Sequence, residues 1–346
     1  MSQLYIIPLY FGEILFHTDI ARDLLLLDEI QIKKLILIGP RASGLDGFFH
    51  GPLWLYLNIP FYILGKSDPI VLGVGWVILA FAFLSIPFWI SKSNKLIKPS
   101  ILALFITFFL SIFATHIKGL YNPYGALFLI VPLILTLFIY INNLNEVSLL
   151  LFFLFLGMIV HFQIAVAGPI FLASLPIILF KIFKHKKFLH LRSILVFLLI
   201  VSNYLLFDLR HSFQLSKAVL KYVSGSTESV PLDLNTMLNN RYSLITNDGI
   251  YIFGKNKFLN SFVFYLFLFT ALGLIYKRYL RKTKIDSEES LFIVSFYIFL
   301  SFYCLSLIHK GWLLDHYYLP IISIPILLVA IGTKLCMNFF TDFNFA

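Results

Sequence analysis

The stretch Lys181-Ile182-Phe183-Lys184-His185-Lys186-Lys187-Phe188-Leu189-His190-Leu191-Arg192 carries five Lys/Arg and no acid, and it separates two apolar runs, 164–180 and 193–207. Cation-rich connectors between apolar runs are the positive-inside signature of membrane proteins, since lysine and arginine are retained on the cytoplasmic side. Loops 92–98 and 277–284 repeat the pattern, and the three loops together hold 13 Lys/Arg and no Asp or Glu. The net charge of +10 is therefore a topology device, which removes the case for nucleic-acid binding.

Composition agrees with a membrane class. Mean hydropathy is +0.90, with 18% aromatic and 13% charged residues, a balance that excludes an ordinary soluble globule. Apolar runs of about 15–22 residues recur, close to the roughly 20 needed to cross a bilayer as helix. With the three basic loops in the cytoplasm, alternation places spans over 70–91, 99–115, 126–141, 147–162, 164–180, 193–207, 261–276, 291–308 and 320–337. The short apolar run 4–16, with Pro8 and Glu13, reads as the tail of a further span. It lacks the charged start and small-residue cleavage site of a signal peptide. The expectation is one all-α, polytopic membrane domain over 1–346, with about nine or ten transmembrane helices. Segments 17–69 and 208–260 form its two large external loops. Cys304 and Cys336 lie in apolar runs and indicate neither a disulfide framework nor a metal site.

Within the first loop, 53–64 is apolar yet reaches only about 18 Å as a helix, against roughly 30 Å of hydrocarbon. It reads as a re-entrant or interfacial helix. Segment 20–38 spaces Ile20, Leu24, Leu27 and Ile30 on one face, which predicts an amphipathic surface helix with Thr18 or Asp19 as its N-cap.

The polar groups then fall on the external side. Asp19 and Asp23 are one turn apart and face one side of a helix, while Arg22 between them suits a lipid headgroup. Gly39-Pro40-Arg41 and His50-Gly51-Pro52 are turn-forming pairs bracketing a glycine-containing loop, and Arg41 has the fork to grip a phosphate. Lys118 and Asn122 mark the next external loop, where Asn122-Pro123 is a helix opening. His161 and Gln163 interrupt an apolar run, either as interhelical hydrogen-bonders or as substrate contacts. Asp208-Leu209-Arg210-His211 leaves a span as a local ion pair or a cationic phosphate contact, and Asp315-His316-Tyr317-Tyr318 precedes the last span. Carboxylates are costly in hydrocarbon and persist beside it where they face water, a partner or a substrate.

The order of these pieces resembles the GT-C glycosyltransferases, in the branch of protein mannosyltransferases and lipid A aminoarabinose transferases. Thr18-Asp19-Ile20-Ala21-Arg22-Asp23 stands where that family's first-loop acid stands, and Gly51-Pro52-Leu53-Trp54-Leu55-Tyr56 is similar to its Pro-Leu-aromatic segment. Asn122-Pro123, His161 with Gln163 and the Asp208–His211 exit add to the likeness, which covers essentially the whole chain. It implies a GT-C-like fold whose external first loop bears interfacial helices. It also implies transfer of a sugar from a polyprenyl-phosphate-linked donor lipid to a protein, lipid or glycan acceptor, at the extracytoplasmic face of the plasma (inner) membrane. Asp19 would be the general base of an inverting transfer. Arg41, Lys118, Arg210 and His211 would serve the phosphate, with Asp23, His50, Asn122, His161 and Gln163 as further substrate contacts. Some relatives use a divalent cation; this chain has no dedicated oxygen-ligand cluster, so no metal ligands are assigned.

Two other classes compete. A transporter or flippase predicts ionisable groups near the midplane and broken helices in repeated halves, and the central spans carry few such groups and no repeat. A non-catalytic scaffold of the same architecture would keep the loops without needing the reactivity of Asp19.

Overall fold

The structure, a computed structural model, describes residues 2–14, 16–42, 47–114, 119–223 and 232–343. Among these the chain is helical throughout, and the sole extended pairing is an antiparallel bridge between Arg41 and Phe49. In order the helices are α1 (Ser2–Tyr10), α2 (Thr18–Lys33), α3 (Leu53–Leu64), α4 (Pro69–Lys92), α5 (Pro99–Ile112) and α6 (Pro123–Asn143). Then come α7 (Glu146–Phe162), α8 (Ile164–Lys184), α9 (Ile194–Ile200), α10 (Ser202–Arg210), α11 (Gln214–Val223) and α12 (Leu234–Ser243). The last four are α13 (Lys257–Tyr279), α14 (Ser287–Leu305), α15 (Asp315–Tyr318) and α16 (Ser323–Phe343).

Among the described residues, six helical stretches are long and apolar enough to cross a membrane: Pro69–Lys92, Pro123–Asn143, Ile164–Lys184, Lys257–Tyr279, Ser287–Ile308 and Asp315–Leu335. The remaining expected crossings fall on shorter or broken elements. Span 193–207 is a helix pair bent by 56° around Val201. Spans 99–115 and 147–162 fall on α5 and α7, of 14 and 17 residues. At 1.5 Å per residue those reach about 21 and 25 Å. Short segment α3 has 12 residues, as its sequence suggests, and packs against α2, α4 and α7.

Helix starts follow local chemistry. Proline opens α4, α5 and α6, where a missing N–H costs nothing. Asp68, Asn145 and Asn256 cap α4, α7 and α13 with side-chain oxygens, and Asp286 with Glu289 forms a capping box on α14. At the centre stands α6, buried at every position from Pro123 to Tyr140 and packed on α4, α7, α8, α14 and α16. A helix apolar on all sides requires that position.

The bundle has two chemically distinct ends. Each basic loop is tied to an acid at a helix start: Lys98 to Glu288 at 2.6 Å, Arg192 to Glu146 at 2.6 Å and Lys277 to Glu289 at 2.7 Å. Two of these pairs bring loops 92–98 and 277–284 to the start of α14, and Lys181 of the third loop, 181–192, lies within electrostatic reach of Arg278, so the three share one end. The first loop, the start of α6, the α7–α8 hairpin and the segment before α16 meet at the other, as the hydrogen bonds described below require.

Two local readings are corrected. The amphipathic helix begins at Thr18 and stops at Lys33, because Lys34 takes a left-handed φ of 69°. Its N-cap is His17, whose ring Nδ1 accepts the Asp19 N–H at 3.2 Å, and not Thr18 or Asp19. The Asp19 carboxylate is thereby left for other partners.

Candidate functional site

On α2, Ile20, Leu27 and Ile30 face the core, and Asp23 is carried inward with them. Arg22 bridges the two carboxylates. Its Nη1 donates to Asp19 Oδ1 at 2.8 Å, while Nη2 and Nε donate to Asp23 Oδ1 at 2.8 and 3.0 Å. The two acids differ in access, since the Asp19 side chain is 41% exposed and that of Asp23 only 7%. Asp19 can meet a ligand; Asp23 cannot without rearrangement. Burial pushes the Asp23 carboxyl up to about 6 despite the opposing pull of Arg22, and its Oδ2 is buried without a hydrogen-bond partner.

The first-loop turn pairs find one another. Gly39 N–H donates to His50 O at 2.8 Å, His50 N–H to Pro40 O at 2.8 Å, and Ala42 N–H to Phe48 O at 3.0 Å. Gly39 is needed for closeness, because a Cβ there would lie 2.5 Å from Gly51 O. This ladder leaves Arg41 exposed and turns His50 inward. Burial drives the His50 imidazole down to about 3, with Arg22 and His316 adding to the effect, so it is neutral at physiological pH.

The break between α7 and α8 is the junction for the other segments. Gly51 N–H donates to His161 O at 3.2 Å, and Asn122 Nδ2 donates to Phe162 O at 3.0 Å. His161 Nε2 meets Ile200 O at 2.9 Å, and Gln163 Nε2 donates to His316 O at 3.0 Å. The first loop, the start of α6, the bent α9–α10 pair and the last loop thus converge on three consecutive residues. Tyr121 joins them: its ring meets His17 edge-on at 5.0 Å, and burial beside the Asp19 carboxylate raises its phenol.

An open apolar groove of about 600 Å³ adjoins this junction. Phe48 and Tyr204 line it, stacked on each other at 6.1 Å, together with Ile164, Gly168, Phe171 and Val201. That volume lies within the range of small-molecule sites. Tyr204 also touches the His161 ring at 5.6 Å, so the groove wall is continuous with the junction.

Of the residues singled out in the sequence, Asp19, Asp23 and His50 lie around Arg22, and Asn122, His161 and Gln163 build the junction. Arg41 is exposed on the hairpin. Arg210 is exposed at the end of α10, and His211 stacks on Phe207 at 3.9 Å with its Nδ1 against Phe207 O at 2.8 Å. Lys118 lies outside the described residues. The expected ion pair of Asp208 is replaced by a turn: its carboxylate accepts Leu215 N–H at 2.6 Å and Ser216 N–H and Oγ–H at 3.0 and 2.5 Å, which starts α11. Arg22, read as a lipid-headgroup contact, His316, named only as preceding the last span, and Tyr121 are the members whose partners sequence reasoning did not find. For Arg22 the three-residue spacing from Asp19 was the available signal. For the other two no signal pointed to a partner. Among the described residues no group of three His, Cys, Asp or Glu is placed to hold a metal ion.

Compared with protein-family models, with curated proteins and with solved structures, the chain gives no match.

Proposed function

We propose that this chain is a membrane glycosyltransferase of GT-C-like architecture, which moves a sugar from a polyprenyl-phosphate-linked donor onto an acceptor hydroxyl. The observation that carries the reading is the placement of an accessible carboxylate, Asp19, beside the Arg22 guanidinium at 2.8 Å. It lies at the end of the bundle where the apolar groove meets the junction. The groove suits a hydrocarbon chain, and the polar end suits the sugar and phosphate. With the basic loops in the cytoplasm, that end faces the extracytoplasmic side of the plasma (inner) membrane.

In this reading Asp19 takes the proton of the acceptor hydroxyl as its oxygen attacks the anomeric carbon. The bond from that carbon to the phosphate oxygen breaks with inversion, and the electron pair leaves on the phosphate. General-base assistance is worth about 10²–10⁴-fold. The developing phosphate charge is met by cations already in place, of which Arg22 stands nearest the base. His50, buried and held neutral, adds no charge to the cluster.

One feature of the same cluster favours a second reading, a non-catalytic scaffold: Arg22 already satisfies one oxygen of each acid, as a purely structural ion triad would. Asp19→Asn separates the two. Membranes containing the variant, given radiolabelled polyprenyl-phosphate-sugar, should show turnover reduced by about 10²–10⁴-fold at unchanged protein level. Turnover equal to the parent's defeats the catalytic reading.

A further inference from the structure

Helix α12 presents three different faces. Met237 and Arg241 point into the protein and are buried. Leu234, Leu238 and Tyr242, spaced four apart, form an exposed apolar ridge, and Asn235 and Asn239 form an exposed polar ridge beside it. A helix buried in protein on one side, apolar on the second and polar on the third has the pattern of an element at a water–lipid boundary. The apolar ridge is also continued by a neighbour. Tyr242 Oη meets Tyr265 Oη at 2.6 Å on α13, whose outward flank carries Phe258, Phe262, Leu266 and Phe269, all exposed. Since α13 is one of the six stretches able to cross a membrane, that flank faces acyl chains if the helix spans. Tyr265 lies within that flank, between Phe262 and Leu266, so the paired hydroxyls tie the ridge of α12 directly to it, and tyrosine is a side chain that the interfacial aromatic belt favours.

We propose that α12 is an interfacial helix, seated with Leu234, Leu238 and Tyr242 in the acyl–headgroup boundary of a phospholipid bilayer at the polar end of the bundle. Its inner face gives the seating a consequence. Arg241 Nη2 donates to His309 O at 2.8 Å and Gly311 O at 2.9 Å, with Ser306 O at 3.4 Å, and Leu232 N–H donates to Lys310 O at 2.9 Å. A buried guanidinium gathering several carbonyls fixes the course of that backbone. The segment runs on to His316, whose carbonyl Gln163 holds. The bilayer surface therefore fixes the height of α12, and α12 fixes the last loop over the candidate site.

The test uses the full chain in liposomes of phosphatidylethanolamine and phosphatidylglycerol, with Cys304→Ser and Cys336→Ser as background. Nitroxide labels are placed one at a time at positions 234, 238 and 242 and, as controls, at 235 and 239. Collision with oxygen, which concentrates in lipid, is compared with collision with a water-soluble nickel chelate. The ratio of oxygen to nickel accessibility should be several-fold higher on the leucine–tyrosine ridge than on the asparagine ridge. Equal ratios on both ridges, which would place α12 in water, overturn the proposal. So does poor access of both reagents to the leucine positions, which would mean a protein partner or a second copy. Labels at 234 and 238 leave the Tyr242–Tyr265 contact intact, so the result does not depend on the variant that removes it. None of these readouts depends on sugar transfer.

Discussion

Gln163 donates its side-chain amide to the backbone oxygen of His316 at 3.0 Å, joining residues 153 positions apart. Gln163 itself is buried, with extended φ and ψ of −157° and 94° between α7 and α8. Replacing it with leucine keeps roughly the volume and leaves the His316 carbonyl without that donor. Losing one partner of a buried hydrogen bond costs about 1–3 kcal/mol. Gln163→Leu should lower the thermal midpoint in detergent. A midpoint unchanged by Gln163→Leu would mean that the contact does not hold the last loop.

Gly51 is required for space. A Cβ at this position would lie 1.9 Å from His161 Nδ1, and the ring cannot retreat while its Nε2 is held against Ile200 O at 2.9 Å. Overpacking typically costs about 1–3 kcal/mol, and more where the neighbour is fixed. Gly51→Ala should destabilise by at least that amount, whereas Gly12→Ala, with no atom within 4 Å but a φ of 81°, should incur only backbone strain. Paired thermal melts compare them; similar losses would show that contact with His161 is not the constraint.

How much of this was legible beforehand depends on the range of the interaction. The basic loops, six of the nine expected spans and the 12-residue α3 are local patterns that appear where composition puts them, while 99–115, 147–162 and 193–207 fall on shorter or bent helices. The Arg22 bridge is also local, three residues from Asp19 and one from Asp23, yet both acids were assigned and the arginine between them was sent to lipid. What stays hidden is tertiary. Nothing in Gly51-Pro52 announces a ring from residue 161 against it, and Arg241 lies in an asparagine-rich stretch that reads as solvated but is buried. Asp208 misled for a related reason: a carboxylate two residues from an arginine suggests an ion pair, and the backbone donors that claim it become available only when the chain turns into α11.

Gly168 faces the groove, and a Cβ there meets nothing within 4 Å. A side chain grown from this position therefore starts in open space on the groove wall. Its effect should fall on occupancy and not on folding, with stability within about 0.5 kcal/mol of the parent. If the groove holds the hydrocarbon of the donor, Gly168→Leu raises KM for the lipid donor several-fold while kcat stays within about twofold, the signature of lost binding shared by ground and transition states. Kinetics with a full-length and a short-chain donor check this, and an equal effect on both would exclude the groove as the chain's seat.

Asp23 gives a pH dependence with a defined sign. Its carboxyl is raised from 3.8 to about 6, mainly by burial. Between about pH 4 and 6 the folded chain keeps a proton that the unfolded chain has lost, so stability falls as pH rises through that window. Below the window the cost is absent, and above it the cost is complete. A rise of this size corresponds to on the order of 3 kcal/mol. The substitution Asp23→Asn keeps a side-chain oxygen for Arg22 and removes the ionisable group. The variant should match the parent near pH 4, exceed its stability at pH 7, and lose the slope between. Thermal melts across pH 4–7 read all three. A parent whose stability instead rises from pH 4 to 6, with the rise abolished by Asp23→Asn, would mean that Arg22 outweighs burial and that Asp23 is a strong acid in the folded chain.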